Sequence, residues 1–459
     1  MDLLIKNGTI ASSSGIYNAD ILVKKGKIAL ISSEGINPAK DVYVIDASNR
    51  FVMPGGIDVH THLDMPFMGT KSVDDFNTGT LAAAYGGNTS IIDYVIPKSG
   101  QKLSDALLTW HKKAENKSYI DYGFHMAVVP PVKEVIPELK QLKKLGITSI
   151  KCFFAYKNSL MIDESSFLEL VREAKKLDIL TCVHAEEGEK IDKLTKELLT
   201  EAKAGPIYHA ISRPPELEGE SAEKILELTK QADCSVYFVH LSSRQALERI
   251  IEAQKAGLKV FTETCPQYLF LDIEKYNEEG FNGAKYVMSP PLREFDHCNY
   301  LISGIFKDNI DVIATDHCSF NYYKEKQLGS SDFTKIPNGI PGLETRLPVL
   351  FSELVVKKNL PLTKFIKLVS TNPARIFNLK GKGDIQQGYD ADIIIWNPAY
   401  EWVIKANNLH HNVDYTPFEG FKAMGKAQTV ILRGNILIEN FCLKANKPEG
   451  KYLNRNSFA

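Results

Sequence analysis

Four histidines and an aspartate stand where short apolar segments of this chain end. One segment closes on Asp58-Val59-His60-Thr61-His62, others close on His184, His240 and Asp316, and Lys151 lies at the exit of a further one. In an extended strand, residues two apart point to the same side, so His60 and His62 can face one ion together. Neutral imidazole nitrogens joined by a carboxylate suit Zn²⁺, with Mn²⁺ or Co²⁺ as substitutes. A lone histidine at a strand end reads as structural. Four at matching ends, with an aspartate, point to a metal site.

These residues need elements to carry them. Eight β-branched apolar runs recur through the middle of the chain, at 56–60, 90–95, 122–129, 149–154, 180–184, 236–240, 259–264 and 311–315. Helical patterns lie between them over 104–117, 134–145, 164–177, 221–231 and 243–256, several opening on a Ser or Asp cap or closing at Gly. Continuous apolar strands alternating with helices imply a parallel sheet covered by helices. Eight such units imply a (β/α)8 TIM barrel, whose chemistry sits at the C-terminal ends of its strands. The two ends of the chain have another rhythm. Short alternating runs with Asn7-Gly8, Lys25-Gly26 and Arg433-Gly434-Asn435 between them read as β-hairpins. Neither end buries much alone. The expected organisation is a small β-sandwich domain built from the N- and C-terminal segments, 1–53 plus 385–459, around a hydrolase barrel over 54–384. The polar stretch after Ala445 is expected to be loosely held.

Bulk properties narrow the partners. The 459 residues are 44% hydrophobic and 24% charged with a net charge of -1, which offers no basic field for nucleic acid or an anionic membrane. No apolar run approaches a membrane span, and Met1 to Ile10 shows no signal peptide. Seven cysteines without a C-x-x-C pair read as reduced thiols in the cytoplasm. A small-molecule partner is expected.

The chain resembles the amidohydrolase superfamily and, within it, the dihydropyrimidinase/D-hydantoinase family. The matching segments are 54–62 (PGGIDVHTH), 151–157 (KCFFAYK), 183–186 (VHAE), 239–242 (VHLS), 263–268 (ETCPQY), 288–293 (MSPPLR), 316–318 (DHC) and 336–339 (IPNG). Together they cover essentially the whole chain. The resemblance implies two divalent metal ions, Zn²⁺ by preference. His60, His62 and Asp316 would hold one and His184 and His240 the other. Lys151, carboxylated by CO₂, would bridge them. A protonated lysine would repel a metal, whereas its carbamate is an anionic bidentate group fit to span a two-metal site; spacing alone does not give Lys151 that role. Tyr156 resembles the tyrosine that stabilises the oxyanion, Asp316 the proton shuttle, and Ser289 and Asn338 the residues that hold the ring amide, largely through backbone groups.

The implied reaction is hydrolytic ring opening of cyclic amides, 5,6-dihydropyrimidines or 5-substituted hydantoins, to N-carbamoyl amino acids by a metal-bridging hydroxide. The residues 63–67, with Phe153, Phe154 and Leu160, could line an apolar pocket for the ring substituent or could be ordinary core. Two other cyclic amidohydrolases, allantoinase and dihydroorotase, are rivals. Dihydroorotases carry an Arg two residues after the second metal histidine; here Asp64 stands there and would repel a substrate carboxylate. A non-catalytic scaffold relative of the collapsin response mediator type would lack the ligand set this chain keeps. The segment 411–421 matches a family segment that implies a homo-oligomer, a tetramer or dimer. Of the other histidines, His125 is expected to be packed mid-strand, His317 to point away from the metals, and His209 is given no role.

Overall fold

The structure, a computed structural model, describes residues 2–37, 40–455 and 458. Its central feature is an eight-stranded parallel sheet in sequential order. The strands are β1 (Gly56–Thr61), β2 (Asn88–Val95), β3 (Asp121–Ala127), β4 (Ser149–Phe153), β5 (Leu180–His184), β6 (Val236–Phe238), β7 (Val260–Thr264) and β8 (Val312–Ile313). Every residue of these strands is buried, which is why they read as continuous apolar runs rather than alternating ones. Helices such as Glu164–Lys176 and Arg244–Lys255 cover the outside. The first is capped by Asp163, which accepts from the Ser166 N–H, and the second by Ser243, which accepts from that of Ala246. The helix expected over 134–145 is instead Val132–Val135, a 3₁₀ turn at Ile136–Glu138, and Leu139–Lys144. Pro137 lacks the N–H that a continuous helix needs there.

The first and last strands are joined through side chains. Arg346, fully buried, donates to the carbonyls of Ile57 on β1 and Ile313 on β8, at 3.0 and 2.9 Å. Its guanidinium also lies 3.8 Å from the Asp58 carboxylate. Asp58 in turn accepts the N–H groups of His60 and Thr315, each at 3.2 Å. A parallel bridge between Thr61 and His317 completes the seam.

Both ends of the chain combine in one nine-stranded mixed sheet. It runs from Leu3–Ala11, Ile16–Lys24 and Lys27–Ser32 to Ile393–Val403, Lys422–Leu432 and Asn435–Glu439. Leu3, Ile5, Ile21, Val23, Ile393, Ile395 and Ile431 share its core. The hairpin turns at Lys25-Gly26 and Arg433-Gly434 use left-handed backbone at all four positions. They pack so closely that a Cβ on Gly26 would stand 2.8 Å from the Arg433 carbonyl.

The described residues after Ala445, 446–455 and 458, are not loosely held. Gly450 and Leu453 donate to the Ser118 and Tyr122 carbonyls at 2.8 and 2.7 Å. Arg455 is buried against Ser149, 3.0 Å away, and the Phe124 carbonyl. Leu453 and Phe458 pack on the barrel interior beside Ile57, Ile92 and Leu180. The tail closes the barrel at the N-terminal ends of its strands, an apolar opening that a mostly polar sequence does not advertise. No described helix is long and apolar enough to cross a membrane.

Candidate metal centre and active site

At the opposite end of the barrel the expected ligands converge. His60 Nε2 lies 3.0 Å from Lys151 Nζ and 3.1 Å from an Asp316 oxygen, and His62 Nε2 lies 3.2 Å from that same oxygen. His184 Nδ1 is 3.0 Å from His240 Nε2. Ligand atoms of His60, His240 and Asp316 all fall within 4.8 Å of one another. His62 and His240 follow the ends of their strands rather than lying within them. His240 and Asp316 have left-handed φ of 39° and 53°, a conformation that costs about 1–3 kcal/mol in a non-glycine residue and gathers at functional sites.

Two carboxylates set which nitrogen each ring offers. Glu263 on β7 lies 2.6 Å from His60 Nδ1 and also accepts from Tyr237 and the His240 N–H. Glu186 lies 2.7 Å from His184 Nε2 and is paired at 2.9 Å with Arg213. Each holds the ring proton on the outer nitrogen. His60 Nε2 and His184 Nδ1 are then left as lone pairs facing inward. Burial lowers the pKa of His60 and His240 well below the ordinary value and lowers that of His62, keeping the imidazoles neutral. The His60 lone pair therefore confronts a carboxylate oxygen at 3.1 Å, a contact between two acceptors that a cation between them resolves. The donor set fits divalent metal.

Burial likewise pulls the Lys151 ammonium below its usual value, Asp316 and Glu263 pulling the other way. For Asp316, burial pushes the carboxyl up, but His60, His62 and Lys151 outweigh it and hold it at about 2. Tyr156, at φ 63°, is raised to about 12, mainly by burial. It stays a protonated donor at neutral pH.

Tyr156, Ser289, Asn338 and Gly339 line the small cavity, about 50 Å³, beside His62, Lys151, His184, His240 and Asp316. Phe67, Ile96, Tyr156, Leu160 and Asn338 also border a wider vestibule of about 980 Å³. Met65, Phe67, Phe153 and Leu160 line the cavity, but Phe154 turns away to pack on Phe167. Leu63 is core. Asp64 does not face the cavity either; it pairs with Lys71 at 2.6 Å and Lys113 at 3.7 Å. What speaks against a carboxylate-bearing ring is thus the missing Arg, not repulsion by Asp64. His125 is packed, between Ser149 and the Val59 carbonyl. His317 is turned to Asp74 at 3.2 Å.

An eight-stranded parallel barrel with imidazole, carboxylate and lysine side chains gathered at the C-terminal ends of its strands defines a metal-dependent hydrolase. The amidohydrolase family model matches residues 51–264 and 297–437, and the chain belongs to that family. Over its whole length it is 45% identical to a D-hydantoinase of Geobacillus stearothermophilus, covering 97% of that protein. It is 41% identical to one of Ralstonia pickettii, with both chains covered completely. The solved structure of a dihydropyrimidinase from Brevibacillus agri superimposes with a TM-score of 0.98, at 45% identity and complete coverage of both chains. Within the amidohydrolases, the chain therefore belongs with the D-hydantoinases and dihydropyrimidinases.

Sequence reasoning missed the supporting residues. Glu186 stands two after His184, the same alternation that joins His60 to His62, and could have been read from it. Glu263 is an acid inside an otherwise uncharged strand, also a legible signal. His209 was given no role, yet its Nε2 lies 2.8 Å from the Met288 carbonyl, next to Ser289.

Proposed function

We propose that this chain hydrolyses a ring C–N bond of 5,6-dihydropyrimidines and 5-substituted hydantoins, releasing N-carbamoyl amino acids. Its family makes it a cyclic amidase. The observation that carries the reading is a cavity lined both by His62, Lys151, His184, His240 and Asp316 and by Ser289, Asn338 and Tyr156.

In this reading His60, His62 and Asp316 would hold one divalent cation and His184 and His240 a second, Zn²⁺ by preference, and Lys151, as a carbamate, would serve both. A neutral amine is what reacts with CO₂. Burial favours that form of Lys151, and no described carboxylate pairs with it. When bound, the metals supply Lewis acidity toward the amide carbonyl and toward water. The protein does the rest. Backbone groups of Ser289 and Asn338 hold the ring amide. The Tyr156 hydroxyl donates to the carbonyl oxygen as it gains charge. Asp316, ionised at neutral pH, takes the proton from the attacking water and returns it to the departing ring nitrogen. The apolar rim of Phe67, Ile96 and Leu160 suits an apolar ring substituent.

Lys151→Ala tests the site. It should lose bound metal and ring-opening activity together, on dihydrouracil and on D- and L-phenylhydantoin alike. Wild-type metal content in that variant would refute the bridging role. No turnover of any of the three by the metal-loaded wild type would refute the substrate class. The seven unpaired cysteines support a cytoplasmic location. The family segment 411–421 supports a homo-oligomer, tetramer or dimer; light scattering on the same preparation should give a multiple of 51.3 kDa, and a single-chain mass would refute it.

A further inference from the structure

Three buried side chains and one backbone N–H converge on one loop. The Val287 carbonyl accepts from Lys326 Nζ at 2.8 Å and from the Gly339 N–H at 3.0 Å. The Met288 carbonyl faces His209 Nε2 at 2.8 Å, and the Pro290 carbonyl accepts from the Tyr268 hydroxyl at 2.7 Å. Among the described residues nothing donates to the carbonyl between them, that of Ser289. Lys326 reaches a second loop as well, donating to the Pro337 carbonyl at 2.7 Å. The next residue is Asn338, whose backbone N–H and C=O make no hydrogen bond among the described residues. Its side chain donates to Ser289 Oγ at 3.1 Å. One lysine thus ties together the two segments that bring Ser289 and Asn338 to the cavity wall.

Lys326 is a costly clamp. It is fully buried, and no described carboxylate lies within ion-pair distance. Burial pulls its ammonium down to about 7. A buried cation without a counter-ion does not favour stability. What it does here is fix two carbonyls, one lying two residues before the Ser289 carbonyl and the other directly before Asn338, whose backbone groups are left free at the cavity wall.

We propose that Lys326 is a positioning residue for the substrate amide: by holding the Val287 and Pro337 carbonyls it keeps the Ser289 carbonyl and the Asn338 backbone in place for the ring, and so sets the preference for a ring N–H. This rests on Ser289 and Asn338 holding the ring amide, as above.

The test uses metal-loaded full-length protein with 2-piperidone and cyclohexanone as competitive inhibitors. These are six-membered rings that differ in having N–H in place of CH₂. Wild type should prefer 2-piperidone by about tenfold, the worth of one hydrogen bond. Lys326→Met, an unbranched side chain one atom shorter that removes the donor, should cut that preference to about twofold and raise KM for the cyclic amide substrate while kcat stays within about threefold. Metal content should not change. Lys326→Leu is read in the same way if the methionine protein does not fold. A wild type that does not distinguish the two rings overturns the assignment of Ser289 and Asn338. A wild type that does, with the preference intact in the variant, overturns the role of Lys326 alone. Equal weakening of both rings with a lowered melting temperature would make Lys326 a structural residue and overturn the proposal too.

Discussion

Glu186 and Glu263 decide which nitrogen His184 and His60 present to an ion. An imidazole offers one lone pair, and the partner of the other nitrogen fixes which one it is. Glu186→Gln keeps an acceptor but loses the charge that pairs with Arg213, so the hold on His184 slackens. Metal affinity at the His184 and His240 position should fall by about tenfold or more, with the His60 and His62 position less affected. Titration against a chelator, read as metals retained per chain, checks this. Two metals held with wild-type affinity would mean that packing against Phe153 and Tyr156, at 5.8 and 5.4 Å between ring centroids, orients the ring instead. That the histidines and Asp316 gather at one end of the barrel was legible from residue type and strand-end position. Lys151 needed the family resemblance, because a lysine's ordinary charge argues against metal. Glu263 stands out as an acid in an otherwise uncharged strand, but its pairing with His60 was not legible, since the two are 203 residues apart and only closure of the barrel brings them together.

At the scale of elements, the eight strands could be read because a sheet buried on both faces demands uninterrupted apolar runs. Their ends could not be read as well. β6 stops at Phe238 and β8 at Ile313, short of the apolar runs, because the backbone must turn left-handed at His240 and Asp316 to aim those side chains inward. The helix Thr78–Tyr85 was not foreseen. It is buried on most of its faces, and a helix without a polar face shows no period of 3.6. The seam between β1 and β8 was hidden for a different reason. By composition Arg346 reads as a surface residue, yet it is fully buried and joins the two strands through their carbonyls. Its other partner, Asp58, belongs to the same short motif as His60 and His62. The Asp58 carboxylate also accepts the His60 N–H, so the element that closes the barrel also steadies the ligand loop.

For the whole molecule, the question is what couples the barrel to the sheet built from the chain ends. A buried charge network does part of this. Lys382 pairs with Asp121 at the start of β3, at 2.8 Å, and with Asp392 at 2.5 Å. Asp121 also meets Arg433 in the hairpin turn, and Arg433 donates to the Glu449 carbonyl at 2.7 Å. From there the tail crosses the floor of the barrel, and Tyr452 donates to the Leu145 carbonyl at 2.9 Å. Ending the chain at Lys447 should therefore act on stability and not on chemistry. Leu453 is half-buried on the core and contributes part of the about 1.5–3 kcal/mol of a fully buried Leu; the truncation also removes the buried Arg455 and leaves the Asp121 carboxylate without the Lys451 N–H that it accepts at 2.8 Å. The loss should be about 3 kcal/mol or more, seen as a lower denaturant midpoint. The proposed metal ligands sit at the other end of the strands, so metal content and kcat at low temperature should be retained. A truncated chain with an unchanged midpoint would show that the sheet and the Lys382 network hold the floor without the tail. A stable truncated chain that had lost its metals would show instead that the two ends of the barrel are coupled along the strands, through Arg455 against Ser149 and onward to Lys151, two residues along β4.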